Sequence, residues 1–134
     1  MAKPNLRELE FLTGRRLRDL DEVIEAALLV WEWGVPHVLV SMGEKGILYV
    51  REGEILRVRA PKVRAFNTVG CGDSVVAAFA MGYLQEMDAG ALLRYCAGIS
   101  AANAATLENG VIPTELAEKL TKEAQVEYLF HRAD

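Results

Sequence analysis

The spacing of apolar residues predicts two helices in the first part of the chain. In residues 4–14, "PNLRELEFLTG", apolar side chains fall on or near one side of a short helix, and Gly14 is suited to end it. From Asp21 to Trp33, apolar residues again recur at helical spacing, and glycine and proline follow. Breakers directly after a periodic run are typical of helix ends, so two helices are expected here.

Shorter apolar runs predict strands. "HVLVSMG", residues 37–43, is rich in valine and leucine and is flanked by breakers, which favours a buried strand. "GILYVREGEILRVRAP", residues 46–61, predicts two strands around a Glu-Gly-Glu turn, and its alternation of apolar residues with arginine predicts one wet face. We expect an extended piece in "VRAFNT" and a last strand in "VEYLF".

Two long segments of small and apolar residues, 73–86 and 89–107, predict helices that are both deeply packed. A turn is expected at 109–110, and Thr114 is suited to cap a helix that runs to about Lys122. The order helix, strand, hairpin, helix, helix predicts an α/β fold in which helices flank a sheet. Without repeats or linkers, residues 1–134 are expected to form a single domain.

Composition and charge narrow the function classes. The chain has a net charge of −4 with both signs interspersed, so no basic run offers phosphate neutralisation and nucleic acid is not an expected partner. No apolar stretch is long enough to span a bilayer, so no membrane association is expected. The two cysteines, Cys71 and Cys96, fit neither a zinc spacing nor a disulfide framework, which favours a reducing cytoplasm.

The segment "NTVGCGDS", residues 67–74, carries the strongest chemical signal. A glycine-rich turn at the start of a helix leaves backbone N–H groups pointing at an anion. A carboxylate at Asp73 would repel a bound phosphate, but it is useful if a hydroxyl must be oriented and deprotonated to attack that phosphate. The structural alternative is that Asp73 only caps the helix.

The segment "NTVGCGDSVVAAF" resembles the D/N-T-x-G-A-G-D signature of the ribokinase-like (PfkB) carbohydrate kinases. Three other segments resemble that family in the same order, and the resemblance covers essentially all 134 residues. They are "KPNLRELEFLTGR", "VLVSMGEKGILYV" and "CAGISAANAATLENG". The lysine in "KPN" and the loop "SMGEKG" are most similar to the phosphosugar branch, which includes 1-phosphofructokinases and tagatose-6-phosphate kinases.

The resemblance implies ATP and Mg²⁺ as cofactors and a role for each matching position. Asp73 would be the catalytic base, and the anion hole would consist of Gly70, Cys71 and Gly72. The phosphates and the magnesium hydration shell would be held by Lys3, Asn5 and Glu8, and no direct metal ligand is assigned. Besides Gly72 and Asp73, the ATP-binding positions would be Ser41, Met42, Gly43, Glu44, Lys45, Gly46, Ala102, Ala105 and Glu108.

Several of these positions also have structural interpretations. Asn5 and Glu8 match a helix-capping box, Lys3 could be an ordinary solvated lysine, and Asn103 could satisfy a packing neighbour. The "GEKG" loop also matches a KH loop, but a KH loop joins helices whereas this one joins predicted strands. Cys71 departs from the usual alanine of the family, although an anion contact through the backbone tolerates the change.

Members of the family are much longer. The resemblance therefore implies the C-terminal nucleotide-binding half of a ribokinase-like fold, with the N-terminal sugar-binding half and lid absent. An incomplete sheet exposes edge groups, so we expect self-association or a complementary chain at that edge. Three hypotheses follow: a sugar-phosphate kinase part, with fructose 1-phosphate as the expected acceptor, that needs its other half for turnover; a nucleotide-binding module; or a structural remnant without kinase activity.

Overall fold

The computed structural model describes residues 1–59, 71–106 and 113–131. The chain divides into two compact units, the first of Met1–Arg57 with Glu127–Asp134 and the second of Val58–Val126. In chain order the elements are α1 (Leu6–Thr13), α2 (Leu20–Glu32), β1 (Val38–Ser41), a short 3₁₀ helix (Gly43–Lys45), β2 (Ile47–Arg51), β3 (Glu54–Arg59), α3 (Cys71–Leu84), α4 (Ala89–Ala104), α5 (Thr114–Glu123) and β4 (Gln125–His131). The expected extended piece at 63–68 and the expected turn at 109–110 lie outside the described residues.

The four strands form one sheet in the order β1-β2-β3-β4, which confirms the α/β fold. β1 and β2 pair antiparallel with Leu39 opposite Tyr49, and both of these side chains are fully buried. Their neighbours along the strands, Val38 and Val40, are also fully buried and belong to the main apolar cluster. Both faces of this strand pair are therefore covered, because neighbouring strand residues point to opposite faces.

The wet face expected for β3 is wrong for most of the strand. Leu56 and Val58 are fully buried, and Ile55, on the other face, is buried as well. Arg57 is partly covered and pairs with Glu127 on β4 within the first unit. The arginines in the alternation therefore do not mark a solvent face, since an arginine stem can be covered while its charged group pairs.

The helices of the first unit begin and end where local chemistry predicts. Asn5 accepts a hydrogen bond from the Glu8 backbone at 2.8 Å and begins α1, and Gly14 ends it in the left-handed conformation. Asp19 caps α2 by accepting from the Glu22 backbone at 2.9 Å. Both helices pack on the strands around a cluster composed of Leu9, Val23, Ala26, Ala27, Val30, Val38, Val40, Met42, Leu48, Val50 and Ile55.

The N-terminal segment pairs with the edge of β1. Residues Ala2 and Asn5 form parallel bridges with Val38 and Ser41, and the backbone oxygen of Pro4 accepts from the Ser41 N–H at 3.0 Å. An open sheet edge is expected from the sequence, but at β1 the chain itself supplies this partner. At the other end of the sheet, β4 is last in the strand order and carries exposed aromatic residues.

The second unit is a stack of three helices in which α4 packs against both α3 and α5. α4 is buried along most of its length, as expected. The same expectation for α3 is wrong, because Val75 and Phe79 are buried whereas Met81 and Leu84 are exposed. Thr114 is the first residue of α5 and Pro113 its N-cap, so the expected threonine cap is wrong as well. Within the described parts of the chain, no helix is long and apolar enough to cross a membrane.

Candidate nucleotide and phosphate site

The first unit brings together three predicted positions at the edge of the sheet. The bridge between Asn5 and Ser41 holds the start of α1 beside the end of β1. From the same segment, Lys3 donates through Nζ to Ser41 Oγ at 3.5 Å, across 38 positions of sequence. An ammonium group and a hydroxyl group therefore lie side by side where the strand ends.

Asn5 and Glu8 form the complete capping box. Asn5 Oδ1 accepts from the Glu8 N–H, and Glu8 Oε1 accepts from the Asn5 N–H at 3.0 Å. Both side chains are exposed. The box engages one oxygen of the Glu8 carboxylate, and a carboxylate has a second oxygen that can accept from a metal-bound water. The structural and functional interpretations of this pair are therefore compatible.

The loop from Ser41 to Gly46 has a backbone that glycine permits. Met42 N–H donates to Gly46 O at 2.9 Å, which closes the loop, and the 3₁₀ helix lies between them. Gly43 has a φ of 60° and Gly46 a φ of 98°, and both angles lie in the region that side chains disfavour. The Met42 side chain belongs to the apolar core, so only its backbone faces this loop.

Charges of both signs flank the loop. Glu44 and Lys45 lie in the 3₁₀ helix and are exposed, as is Gly43. Backbone amides beside an exposed lysine are suited to an anion such as a nucleotide phosphate. Their assignment to ATP stays a prediction.

In the second unit, Asp73 lies in the first turn of α3. It is the third residue of the helix, which begins at Cys71, so it is not the residue that precedes the helix as a simple N-cap would be. Asp73 and Gly72 are exposed, while the Cys71 side chain and Gly70 lie outside the described part of the structure. A carboxylate in a first turn interacts favourably with the helix dipole, which is the structural alternative to a catalytic role.

The predicted adenine positions lie at the end of α4. Ala102 is fully buried in a small cluster with Ala117 and Leu120 of α5, so its methyl group offers no exposed surface. Ala105 is the C-cap of α4 and is partly exposed. Asn103 is buried and hydrogen-bonded, as its packing interpretation requires. Glu108 lies outside the described residues.

One polar pair has no counterpart in the sequence-based assignments. His37 Nδ1 lies 2.7 Å from the hydroxyl of Tyr49, at the start of β1. Burial, together with the charges of Arg51 and the N-terminus, lowers the pKa of His37 below its ordinary value. Only the strand pairing reveals this contact, because the two residues are separated by 12 positions of sequence.

Metal-binding side chains do not cluster in the parts of the chain that the structure describes. In residues 1–59, 71–106 and 113–131, no group of three or more His, Cys, Asp or Glu side chains could hold a metal ion. The donor set of Asn5 and Glu8, one amide and one carboxylate, suits Mg²⁺ that keeps its own waters.

Comparison with known proteins gives a consistent answer. The sequence pattern of the pfkB family carbohydrate kinases matches residues 1–116. A 1-phosphofructokinase of Vibrio cholerae is 31% identical over 130 residues, which are 97% of this chain and 41% of that protein. A 1-phosphofructokinase of Escherichia coli is 38% identical over 101 residues, which are 75% of this chain and 32% of that protein.

Solved structures agree with the sequence relatives. Phosphofructokinase-2 from Escherichia coli, in complex with substrates and products, matches with a TM-score of 0.83 and 28% identity over 90% of this chain and 39% of its own. Arabidopsis thaliana ribokinase, complexed with ribose and ATP, matches with a TM-score of 0.80 and 27% identity over 90% of this chain and 40% of its own. The chain thus spans about two fifths of the length of these proteins, and it belongs to the pfkB family of carbohydrate kinases.

Proposed function

We propose that this chain is the nucleotide-binding and phosphoryl-transfer part of an ATP-dependent sugar-phosphate kinase. The observation that carries the proposal is the pairing of residues 2–5 with β1, since it holds Asn5 and Glu8 beside the Ser41–Gly46 loop. Oxygen donors for hydrated magnesium and a glycine loop for phosphate then lie in one unit. The same proposal includes a cytoplasmic location.

In the proposed site, the loop amides and Lys3 bind the phosphates of ATP. Asn5 and the second oxygen of the Glu8 carboxylate accept hydrogen bonds from waters on Mg²⁺, and the ion neutralises charge on the phosphates when bound. The adenine would lie near Ala105 and Glu108, with Ala102 behind them. This chain therefore supplies binding and charge stabilisation, which account for most of phosphoryl-transfer catalysis.

The chemical step is assigned to the start of α3. A sugar hydroxyl oxygen forms a bond to the γ-phosphorus while the bond from that phosphorus to the ADP oxygen breaks. Asp73 accepts the hydroxyl proton, and the backbone N–H groups of residues 70–72 stabilise the transferring group. Its exposed position in the first turn leaves the Asp73 carboxylate accessible to an acceptor.

The proposed acceptor is a hexose phosphate, most specifically fructose 1-phosphate, because the relatives named above are 1-phosphofructokinases. Positioning the acceptor needs a binding surface for the sugar. We propose that turnover requires an acceptor-binding portion like the one that makes up the rest of those longer relatives. In a reconstituted enzyme, Asp73→Asn should lower kcat by about 10²-fold or more while leaving Mg·ATP affinity unchanged.

Calorimetric titration with Mg·ATP tests the nucleotide site, and the capping box dictates the variants. Glu8→Gln keeps a side chain that can complete the box but removes the charge, so it separates the metal role from the capping role. We expect saturable binding by the wild type and binding weakened by about tenfold in Glu8→Gln. Asp19→Ala is the matched control, because it removes an N-cap of similar geometry on α2.

The control should lose stability but keep its affinity for Mg·ATP. Equal affinity of Glu8→Gln and the wild type would remove Glu8 from the site and leave it as a capping residue. No saturable binding by the wild type would contradict the proposed function of the isolated chain.

A further inference from the structure

The outward side of α3 is an apolar surface on the second unit. Its exposed residues are Val76, Ala77, Ala80, Met81 and Leu84, which we call the α3 outer face. Leu84 is 81% exposed and Met81 52% exposed. From residue 74 to residue 85, the sequence contains no charged side chain.

A helix whose outer face meets water normally carries charged residues on that face. The inner face of α3 is already used, because Val75, Ala78 and Phe79 are buried on the side that packs against α4. Both faces of the helix are thus apolar, which is typical of a helix covered on two sides. Contiguous exposed apolar surface of this kind marks an interaction site.

The comparisons indicate what covers it. Phosphofructokinase-2 shares this fold over 90% of the chain, which is only 39% of its own length. The additional chain of such relatives must pack against surfaces of the shared part, and an uncharged helical face is the kind of surface it would bury. We propose that the α3 outer face docks the portion of a pfkB kinase that this chain does not match.

The spacing along α3 connects this docking to the chemistry, an argument that rests on the proposed function. Asp73, Ala77, Ala80 and Leu84 are separated by four, three and four residues, so they lie on one face of the helix. A polypeptide bound along the outer face therefore reaches Asp73 at the end of the same stripe. The docked portion is then placed to present the acceptor hydroxyl to this carboxylate.

The same stripe disfavours a second copy of this chain as the occupant. If two copies paired through their α3 outer faces in antiparallel orientation, Asp73 of each copy would lie against the apolar end that contains Leu84 of the other. Burying a carboxylate against leucine without a partner is costly. A chain that offers a polar group at this position avoids that cost.

Binding between separate polypeptides tests the inference. The portion of Vibrio cholerae 1-phosphofructokinase that this chain does not match is mixed with the wild-type chain, and affinity is measured by titration calorimetry. We expect complex formation, and we expect Leu84→Glu and Met81→Glu each to weaken it by about tenfold or more. Phe11→Glu is the matched control, because Phe11 is an 88% exposed apolar residue on α1 in the other unit. It should change the affinity by less than about twofold.

Circular dichroism and thermal unfolding check that each variant folds, which is expected because the substituted side chains are exposed. If the partner portion is insoluble alone, it is co-expressed with the chain, and its soluble fraction replaces the affinity. Co-solubility with the wild type that is lost with Leu84→Glu supports the inference.

Three outcomes would overturn the inference: no binding by the wild type, equal binding or co-solubility with Leu84→Glu, or a concentration-dependent homodimer that Leu84→Glu abolishes. Mg·ATP titration of the same samples distinguishes the two proposals. Lost docking with retained nucleotide binding contradicts only this inference, whereas retained docking without nucleotide binding contradicts only the proposed nucleotide site.

Discussion

The two units hold their predicted chemistry in different ways. In the first unit, Asn5 and Glu8 are fixed by two reciprocal hydrogen bonds, and the adjoining segment is bonded to β1. In the second unit, Asp73 lies on a helix that is packed on one side and exposed on the other. The first arrangement depends on contacts within one short stretch of chain, whereas the second depends on whatever covers the exposed side of α3.

This difference teaches where the molecule should tolerate change. Backbone hydrogen bonds and glycine conformations are intrinsic to the first unit, so its geometry should persist when the chain is isolated. The second unit should be well ordered on its inner side, around α4, and sensitive to its surroundings at the α3 outer face. The following experiments test each part of that comparison.

The largest expected effect concerns Cys96, on the inner side of the second unit. Burial raises the pKa of its thiol from 9.0 to about 12, a difference of about three units. Since the thiolate is the reactive form, alkylation of Cys96 in the native chain should be slower than in urea by on the order of a thousandfold. Peptide mapping separates its label from that of Cys71. Rapid native labelling of Cys96 would show that the inner side is open.

The next effect concerns the contact between α4 and α5. A Cβ atom on Gly98 would lie 2.1 Å from Thr121 Oγ1 and 2.6 Å from the Thr121 backbone N and Cα. Gly98→Ala should therefore lower the free energy of unfolding in urea by about 3 kcal/mol, because backbone cannot yield as a flexible side chain can. Thr121→Ala should restore only part of this loss, since the backbone contacts remain.

Ala80→Leu on the α3 outer face is the matched control for added volume. Its side chain is exposed, so it should change the stability by less than about 0.5 kcal/mol. A stabilisation of about 1 kcal/mol in Gly98→Ala, the gain expected from helix propensity alone, would contradict the close packing of α4 on α5.

A smaller effect is expected in the loop of the first unit. Gly46 has a φ of 98°, so Gly46→Ala should cost about 1–3 kcal/mol of stability and should weaken Mg·ATP binding severalfold. Gly53→Ala in the β2–β3 turn is the control, because its φ of 80° imposes comparable strain away from the predicted site. Unfolding and titration data on both variants are compared. If both lose affinity equally, the loss reflects stability and the loop has no specific role.

The smallest expected effect is a pH dependence from His37. Its pKa is lowered in the folded chain by burial and by Arg51 and the N-terminus, so below pH 6.5 the unfolded chain binds more protons than the folded chain. The free energy of unfolding should therefore fall as the pH is lowered through this region. His37→Gln should reduce the fall measured by urea unfolding at about pH 7.5 and about pH 5. An unchanged pH profile would assign the dependence to other groups.

Local patterns in the sequence determined most elements of this protein. The capping residues of α1 and the glycine at its end lie within a few positions of one another, so their effect is readable from the sequence. The β2–β3 turn and the buried run of β1 are local signals of the same kind, and the ordered motifs identified the family. These predictions succeeded because the interactions involved are short in range.

Only the tertiary structure decided which faces are covered. Pairing between residues 2–5 and β1, burial on both sides of β3 and the contact of Gly98 with Thr121 all join residues that are distant in sequence. The apolar run of α3 predicted burial on all sides, and yet one side is exposed. A pattern reports how apolar a face is, whereas its burial depends on what packs against it, and that is a property of the assembled fold.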